Sequence, residues 1–450
     1  MTGSRSASSG DAIRLPTATS LAIANMIGTG VFTSLGFQLV DLRDGFALLA
    51  LWVVGGLSAL CGALTYGELA AAMPRSGGEL HFLSRLYHPA VGFLAGWVSV
   101  SMGFALPIAL AAMAFGSYFA RVAPETSAVV TSCALVVAVT LAHLRDLRLG
   151  SVFQNVFTAF KLILIVVFVV AAAHHAVGGA AGLRWTDFAP SSRSIDEITS
   201  GAFAVSLLYV MYAYAGWNAS VYVIDEIDDP GRVVPRSLLL SAAIVTILYT
   251  ALNAAFLSAA PADEMVGQID VGHLAAARIF GDDGGRLMSG LLCIALISTI
   301  SAMVWAGPRV TQVIGQDYAV FRPLARTNRR GVPVVAILTQ TALVLVLLVT
   351  ASFQSLLVYT QFALALSSGL AVLGVFVLRR RDDDRPSVYR TWGYPFTPLL
   401  FLAITIGTLG FTLIRHPWES VAGLLTILLG LPIYWLSPKT ADHPTSRPAS

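Results

Sequence analysis

The 450-residue chain is a succession of apolar runs, most of them long enough to cross a bilayer, separated by short stretches where charges and turn formers collect. A hydrocarbon core takes about 20 apolar residues as a helix, and inside it every backbone N–H and C=O must find a partner within the protein. Unbroken runs of this length therefore predict helices. Cutting the sequence at its polar stretches gives twelve segments, near 15–40, 45–74, 88–120, 126–144, 149–178, 198–224, 237–261, 287–308, 332–350, 354–378, 396–414 and 420–437. The uncharged stretch Gly331 to Leu378 is too long for one helix and is divided at Thr350-Ala351-Ser352-Phe353-Gln354. Composition agrees: 12% of the residues are charged, against about 25% in soluble proteins.

The same composition excludes several functions. A formal charge of +3, scattered along the chain, offers no basic stripe for nucleic acid. Cys61, Cys133 and Cys293 lie inside apolar runs with no CxxC spacing, so neither a disulfide framework nor a zinc knuckle is expected. His143, His174 and His175 show no HExxH spacing, and no metal site or other cofactor is expected. No Walker or GxGxxG pattern occurs, so ATP is not the energy source.

Lys and Arg divide unequally between the two sets of connecting loops, 20 on one side and 7 on the other. With twelve spans that bias puts both termini in the cytoplasm, in the plasma (inner) membrane. Residues 1–13 and 439–450 are polar enough to be expected disordered. The first apolar run is longer than a signal h-region and lacks a small-residue cleavage site, so it is expected to be a retained helix.

Two segments carry helix breakers at their midpoints. The first holds Asn25-Met26-Ile27-Gly28-Thr29-Gly30-Val31-Phe32, and the sixth holds Tyr212-Ala213-Tyr214-Ala215-Gly216-Trp217-Asn218. Taken alone, the first glycine pair reads equally well as a close helix contact. Two breaks about 187 residues apart favour discontinuous helices, which transporters with inverted repeats place at corresponding positions of their halves. Five plus five helices with two more account for the twelve segments, giving repeats over 14–180 and 195–380 and a final helix pair over 391–438.

An ordered set of motifs then resembles the amino acid/polyamine/organocation superfamily of permeases along nearly the whole chain, nearest to its L-type and related neutral amino acid branch. It comprises Ile27-Gly28-Thr29-Gly30-Val31-Phe32, Tyr66-Gly67-Glu68-Leu69, Met73-Pro74-Arg75-Ser76-Gly77-Gly78-Glu79, Phe93 with Gly96-Trp97, Phe160-Lys161-Leu162, and Tyr214-Ala215-Gly216-Trp217-Asn218 running on to Pro230 and Arg236. The resemblance implies an all-α membrane fold of two inverted five-helix repeats, with a substrate site between the breaks and alternating access. It also implies that N–H groups around Thr29, Gly30 and Val31 hold a substrate carboxylate. Carbonyls near Ile27, Tyr212 and Ala215 would accept from its α-amino group, with Gly28 and Ala213 in the same wall.

Lys161 is a cation in mid-helix, expensive in a bilayer and therefore expected to be paired or functional. In sodium-independent relatives a lysine at this place looks like a substitute for a sodium ion, bridging the first helix to hydroxyls of the eighth; Ser298, Thr299 and Ser301 are the candidates. Its desolvated amine is also a candidate carrier of a coupled proton. Tyr212 matches an aromatic gate, although packing alone explains it equally well. Asn218 is expected to bond either the unwound backbone or the substrate. Glu68 is expected to pair with an arginine or backbone on the cytoplasmic side, and Asp225, Glu226, Asp228 and Asp229 to form a solvated loop.

A secondary transporter is thus expected, driven by exchange or proton symport, whose partners are an amino acid and the lipid bilayer; no protein partner is assigned. An intramembrane enzyme would need convergent acids or histidines at Lys161's depth, and a channel would show a repeated pore signature; the sequence has neither. The unwound regions hold no carboxylate, which favours neutral substrates over a cationic amino acid or polyamine. The alternative is a transporter of those cations, or a transport-inactive sensor of the same fold.

Overall fold

A computed structural model describes residues 13–145, 151–177, 184–328, 331–381 and 388–436. The expected disordered tails lie outside these residues except for Ile13, which is ordered. Its N–H donates to the Glu226 carbonyl at 2.8 Å and its own carbonyl accepts from Asp228 N–H at 3.1 Å. In chain order the helices are α1 Leu15–Met26, α2 Gly30–Gln38, α3 Gly45–Ala72, α4 Gly78–Leu86, α5 Pro89–Val98, α6 Ala105–Val122, α7 Ala128–Leu144, α8 Ser151–Val177 and α9 Ser192–Ile198. They continue with α10 Gly201–Tyr214, α11 Pro230–Ala259, α12 Ala262–Met265, α13 Val271–Asp317, α14 Val334–Thr350, α15 Phe353–Arg381, α16 Phe396–Arg415 and α17 Pro417–Leu436. No strand longer than the Ile13–Ile227 bridge occurs among the described residues.

Among the described residues, eight stretches are long and apolar enough to cross a membrane, and two bent pairs raise that to ten. One pair is α1 with α2, bent by 40°; the other is α9 with Gly201–Glu226, bent by 69°. α7 and α14 are shorter apolar helices of 17 residues each. The division placed at residues 350–354 is real, since α14 ends at Thr350 and α15 begins at Phe353. Two features were not foreseen. A π-helical turn, Ser99–Gly103, separates α5 from α6, and α13 runs through the expected eighth segment with a non-helical Gly281 inside it.

Capping and small residues explain how these helices start and pack. The Asp44 side chain accepts from Ala47 N–H and the Ser200 side chain from Phe203 N–H, satisfying orphan donors at the heads of α3 and α10. Pro89 and Pro230 open α5 and α11, where a missing N–H costs nothing. α3 lies against α10, α11 and α16, and its Gly55, Gly56 and Gly62 leave no room for a Cβ beside Val210, Thr246 and Trp217. Glu68 near the end of α3 receives Arg379 Nε and Nη2, each at 2.8 Å, and Thr391 N–H at 2.7 Å, which ties α3 to α15 and to the approach to α16.

Candidate functional site: two interlocked helix breaks

α1 stops at Met26 and α2 resumes at Gly30, leaving Ile27, Gly28 and Thr29 unwound. Gly28 N–H turns back onto the Met26 carbonyl at 2.7 Å. No backbone acceptor among the described residues takes the N–H groups of Thr29, Gly30 or Val31, so the head of α2 presents orphan donors with a partial positive charge. α10 stops at Tyr214, and after Ala215 and Gly216 the chain continues as a 3₁₀ segment, Ala219–Glu226. The Tyr212 carbonyl accepts from Ala215 N–H at 3.0 Å, while none of the described backbone or side-chain donors reaches the Ala215 carbonyl.

The two breaks interlock. A Cβ on Gly30 would sit 2.5 Å from Ala213 Cα, and one on Gly216, at φ +98°, would sit 2.9 Å from the Asn25 carbonyl oxygen. The close-contact explanation of Gly30 is therefore correct, and it coexists with the break. Tyr249 on α11 joins both: its hydroxyl donates to the Met26 carbonyl at 2.6 Å and also lies 3.2 Å from that of Ala213. Sequence inspection missed this residue, because nothing interrupts the helix around it.

Tyr212 reaches across to the first break, where its hydroxyl lies 3.4 Å from Thr29 Oγ1. Lys161 on α8 is 4% exposed; its Nζ donates to the Ile27 carbonyl at 3.0 Å and to Thr299 Oγ1 at 2.7 Å. Of the three candidate hydroxyls, then, Thr299 is the partner. Ser301 instead pairs with His143 Nε2 at 3.0 Å, and Ser298 Oγ is buried without a partner among the described residues; both point off the lysine because residues one or two apart on a helix face different ways. Asn218 also has side-chain partners. Its amide nitrogen lies 2.6 Å from Glu79 Oε1 and 3.3 Å from Tyr222 Oη, so this nitrogen is turned to Glu79 rather than to the unwound backbone, while the residue lines the cavity.

A cavity of about 1880 Å³ begins at these breaks and runs to Arg75, Arg85 and Arg309, with Gly28, Thr29, Lys161, Tyr212 and Ala215 among its walls. Small-molecule pockets hold about 300–1,000 Å³, so the space comprises a site together with its passage. Beyond the breaks the path is closed. Phe37 stacks on Phe353 with centroids 5.6 Å apart and lies 5.8 Å from Tyr209; Gln354 Nε2 donates to Tyr209 Oη at 2.7 Å. None of these four lines the cavity. No group of three or more metal-ligating side chains occurs among the described residues.

An all-helical multi-pass membrane protein, with a one-sided cavity ending on two crossed helix breaks, is the class that this geometry defines. The chain belongs to the amino acid permease family, whose model matches residues 13–431. It is 28% identical over 433 residues to the serine/threonine exchanger SteT of Bacillus subtilis (strain 168), covering 93% of this chain and 94% of that one. It is 27% identical over 436 residues to the large neutral amino acids transporter small subunit 2 of Mus musculus (94% and 80%), and 24% identical over 430 residues to the b(0,+)-type amino acid transporter 1 of Mus musculus (92% and 85%). The family and these relatives are transporters, not enzymes.

Proposed function

We propose that the protein is a sodium-independent secondary transporter of neutral amino acids in the plasma membrane, working by alternating access through exchange or proton symport. In this reading twelve spans form two inverted repeats, 14–180 and 195–380, followed by a helix pair within 391–438, with both termini cytoplasmic. The substrate carboxylate takes the N–H groups of Thr29, Gly30 and Val31, and its ammonium group takes the Ala215 carbonyl. Ile27, Gly28, Tyr212 and Ala213 complete the wall, and Tyr212 closes over the substrate.

The observation that carries the proposal is the Lys161 bridge between the first break and Thr299. An ammonium already holds the Ile27 carbonyl that a bound cation would otherwise coordinate, which supports transport without sodium. Neutral substrates are supported by the break residues, none of which is a carboxylate; the names of the relatives, a serine/threonine exchanger and a large neutral amino acid transporter subunit, lean the same way. The test is counterflow in proteoliposomes preloaded with each common amino acid in turn, in sodium and in choline buffer. Stimulated uptake by a neutral subset, equal in both buffers, is expected; a strict sodium requirement would remove the lysine from the role assigned to it.

A further inference from the structure

We propose that Glu79 is a second recognition point, a carboxylate on the cavity wall that takes an ammonium group between the helix breaks and the open end of the cavity. The proposal rests on the transport reading above and extends it from the breaks into the passage. Gly77 and Gly78 both have positive φ, +123° and +52°, and a Cβ on Gly78 would come 2.4 Å from the Tyr222 ring. The head of α4 is thereby pressed onto the 3₁₀ segment that follows the second break, with Glu79 at the contact. Glu79 Oε1 accepts from Tyr66 Oη at 2.9 Å and Asn218 Nδ2 at 2.6 Å, and Oε2 accepts from Tyr222 Oη at 2.6 Å.

All three donors are neutral. An ionised carboxylate offers about four acceptor positions, so one remains, on a side chain that lines the cavity. Among the described residues no Lys or Arg forms an ion pair with Glu79. His81, two residues on, does not supply the charge: burial first, then Arg75 and Arg85, hold its imidazole below the ordinary range. A carboxylate whose direct hydrogen-bond partners are all neutral keeps a field that no ion pair cancels, and that field draws a mobile cation. An amino acid with its carboxylate toward α2 and its ammonium toward the open end meets that field as it leaves. The three donors also have a mechanical side, since α4 packs on α5 and α15 whereas the 3₁₀ segment packs on α1 and α11, and the experiment must separate holding the wall from recognising a cation.

The probe is n-butylammonium, which lacks a carboxylate and so has no use for the N–H groups of the first break. In proteoliposomes exchanging a neutral amino acid, it is expected to inhibit from the face bearing Arg75 and Arg85, and Glu79→Gln is expected to weaken that inhibition about tenfold. Inhibition that is absent in the parent, or equal in parent and variant, overturns the proposal. So does a variant whose maximal rate falls from both faces with inhibition unchanged, because that is the signature of a residue that only holds the wall. Should Glu79→Gln fail to insert, Tyr222→Phe withdraws one donor and leaves the charge; tighter inhibition is expected, and unchanged or weaker inhibition overturns it. If the parent exchanges no amino acid, the transport reading fails separately, and calorimetric titration of n-butylammonium into solubilised parent and Glu79→Gln decides about Glu79 alone.

Discussion

Lys161 commits two of its three N–H donors to the Ile27 carbonyl and Thr299 Oγ1. Lys161→Ala leaves that carbonyl without its donor and removes a buried charge beside the first break, so exchange is expected to fall by about tenfold or more while size-exclusion elution stays that of the parent. Full exchange would take the lysine out of the mechanism. The two glycines of the first break respond differently to enlargement. At Gly28 the nearest atom to a new Cβ is the Met26 carbonyl oxygen, 3.9 Å away, whereas at Gly30 Ala213 Cα is 2.5 Å away. Gly28→Val is therefore expected to abolish substrate-induced thermal stabilisation with an unchanged melting point. Gly30→Val is expected to lower the melting point too, overpacking costing about 1–3 kcal/mol; equal melting points for both would refute the distinction. At this scale the lysine and the glycines were legible because each violates the chemistry of its surroundings. Thr299 could not be told from Ser298 and Ser301, because three hydroxyls within about one helical turn differ only in direction, and the contact of Asn218 with Glu79 escaped notice because the two are 139 residues apart.

Among the elements, the ends of α3 and α15 are joined by a carboxylate and a guanidinium with two bonds of 2.8 Å, where Glu68 is 3% exposed. Breaking a buried pair by removing one member costs about 3–5 kcal/mol, because the other is left uncompensated. Glu68→Ala is accordingly expected to lower the melting point more than Arg43→Ala, which removes an exposed arginine paired with Asp263. The reverse order would deny the pairing its structural weight. Helix limits followed from charge and turn chemistry to within a few residues where capping residues marked them. The π turn at Ser99–Gly103 escaped notice because its residues, Ser-Val-Ser-Met-Gly, include no charge and no proline to mark a break in the run. Gly281 was passed over for a different reason: it lies in a polar stretch assigned to no segment, so the length of α13 was not anticipated.

For the whole molecule, the cavity reaches the breaks from the face of Arg75, Arg85 and Arg309 and is stopped there by the Phe37, Tyr209 and Phe353 cluster. Cysteines placed at Ser84 or Ser367, both in the cavity wall, are expected to react with an impermeant maleimide added to that face, and one at Phe353 to stay protected from it. Labelling at Phe353 under the same conditions would mean that the seal is open. Such one-sidedness was not legible in the sequence, because it depends on how residues far apart in the chain, Phe37, Tyr209 and Phe353, come together. The seal also has an electrical consequence. Ions follow an open cavity inward, so most of the transmembrane voltage falls across the thin aromatic layer; moving one unit charge through 100 mV takes about 2.3 kcal/mol. A zwitterion crossing that layer carries no net charge and does little electrical work, whereas a lysine-like substrate would be driven or held back by the voltage at this one step.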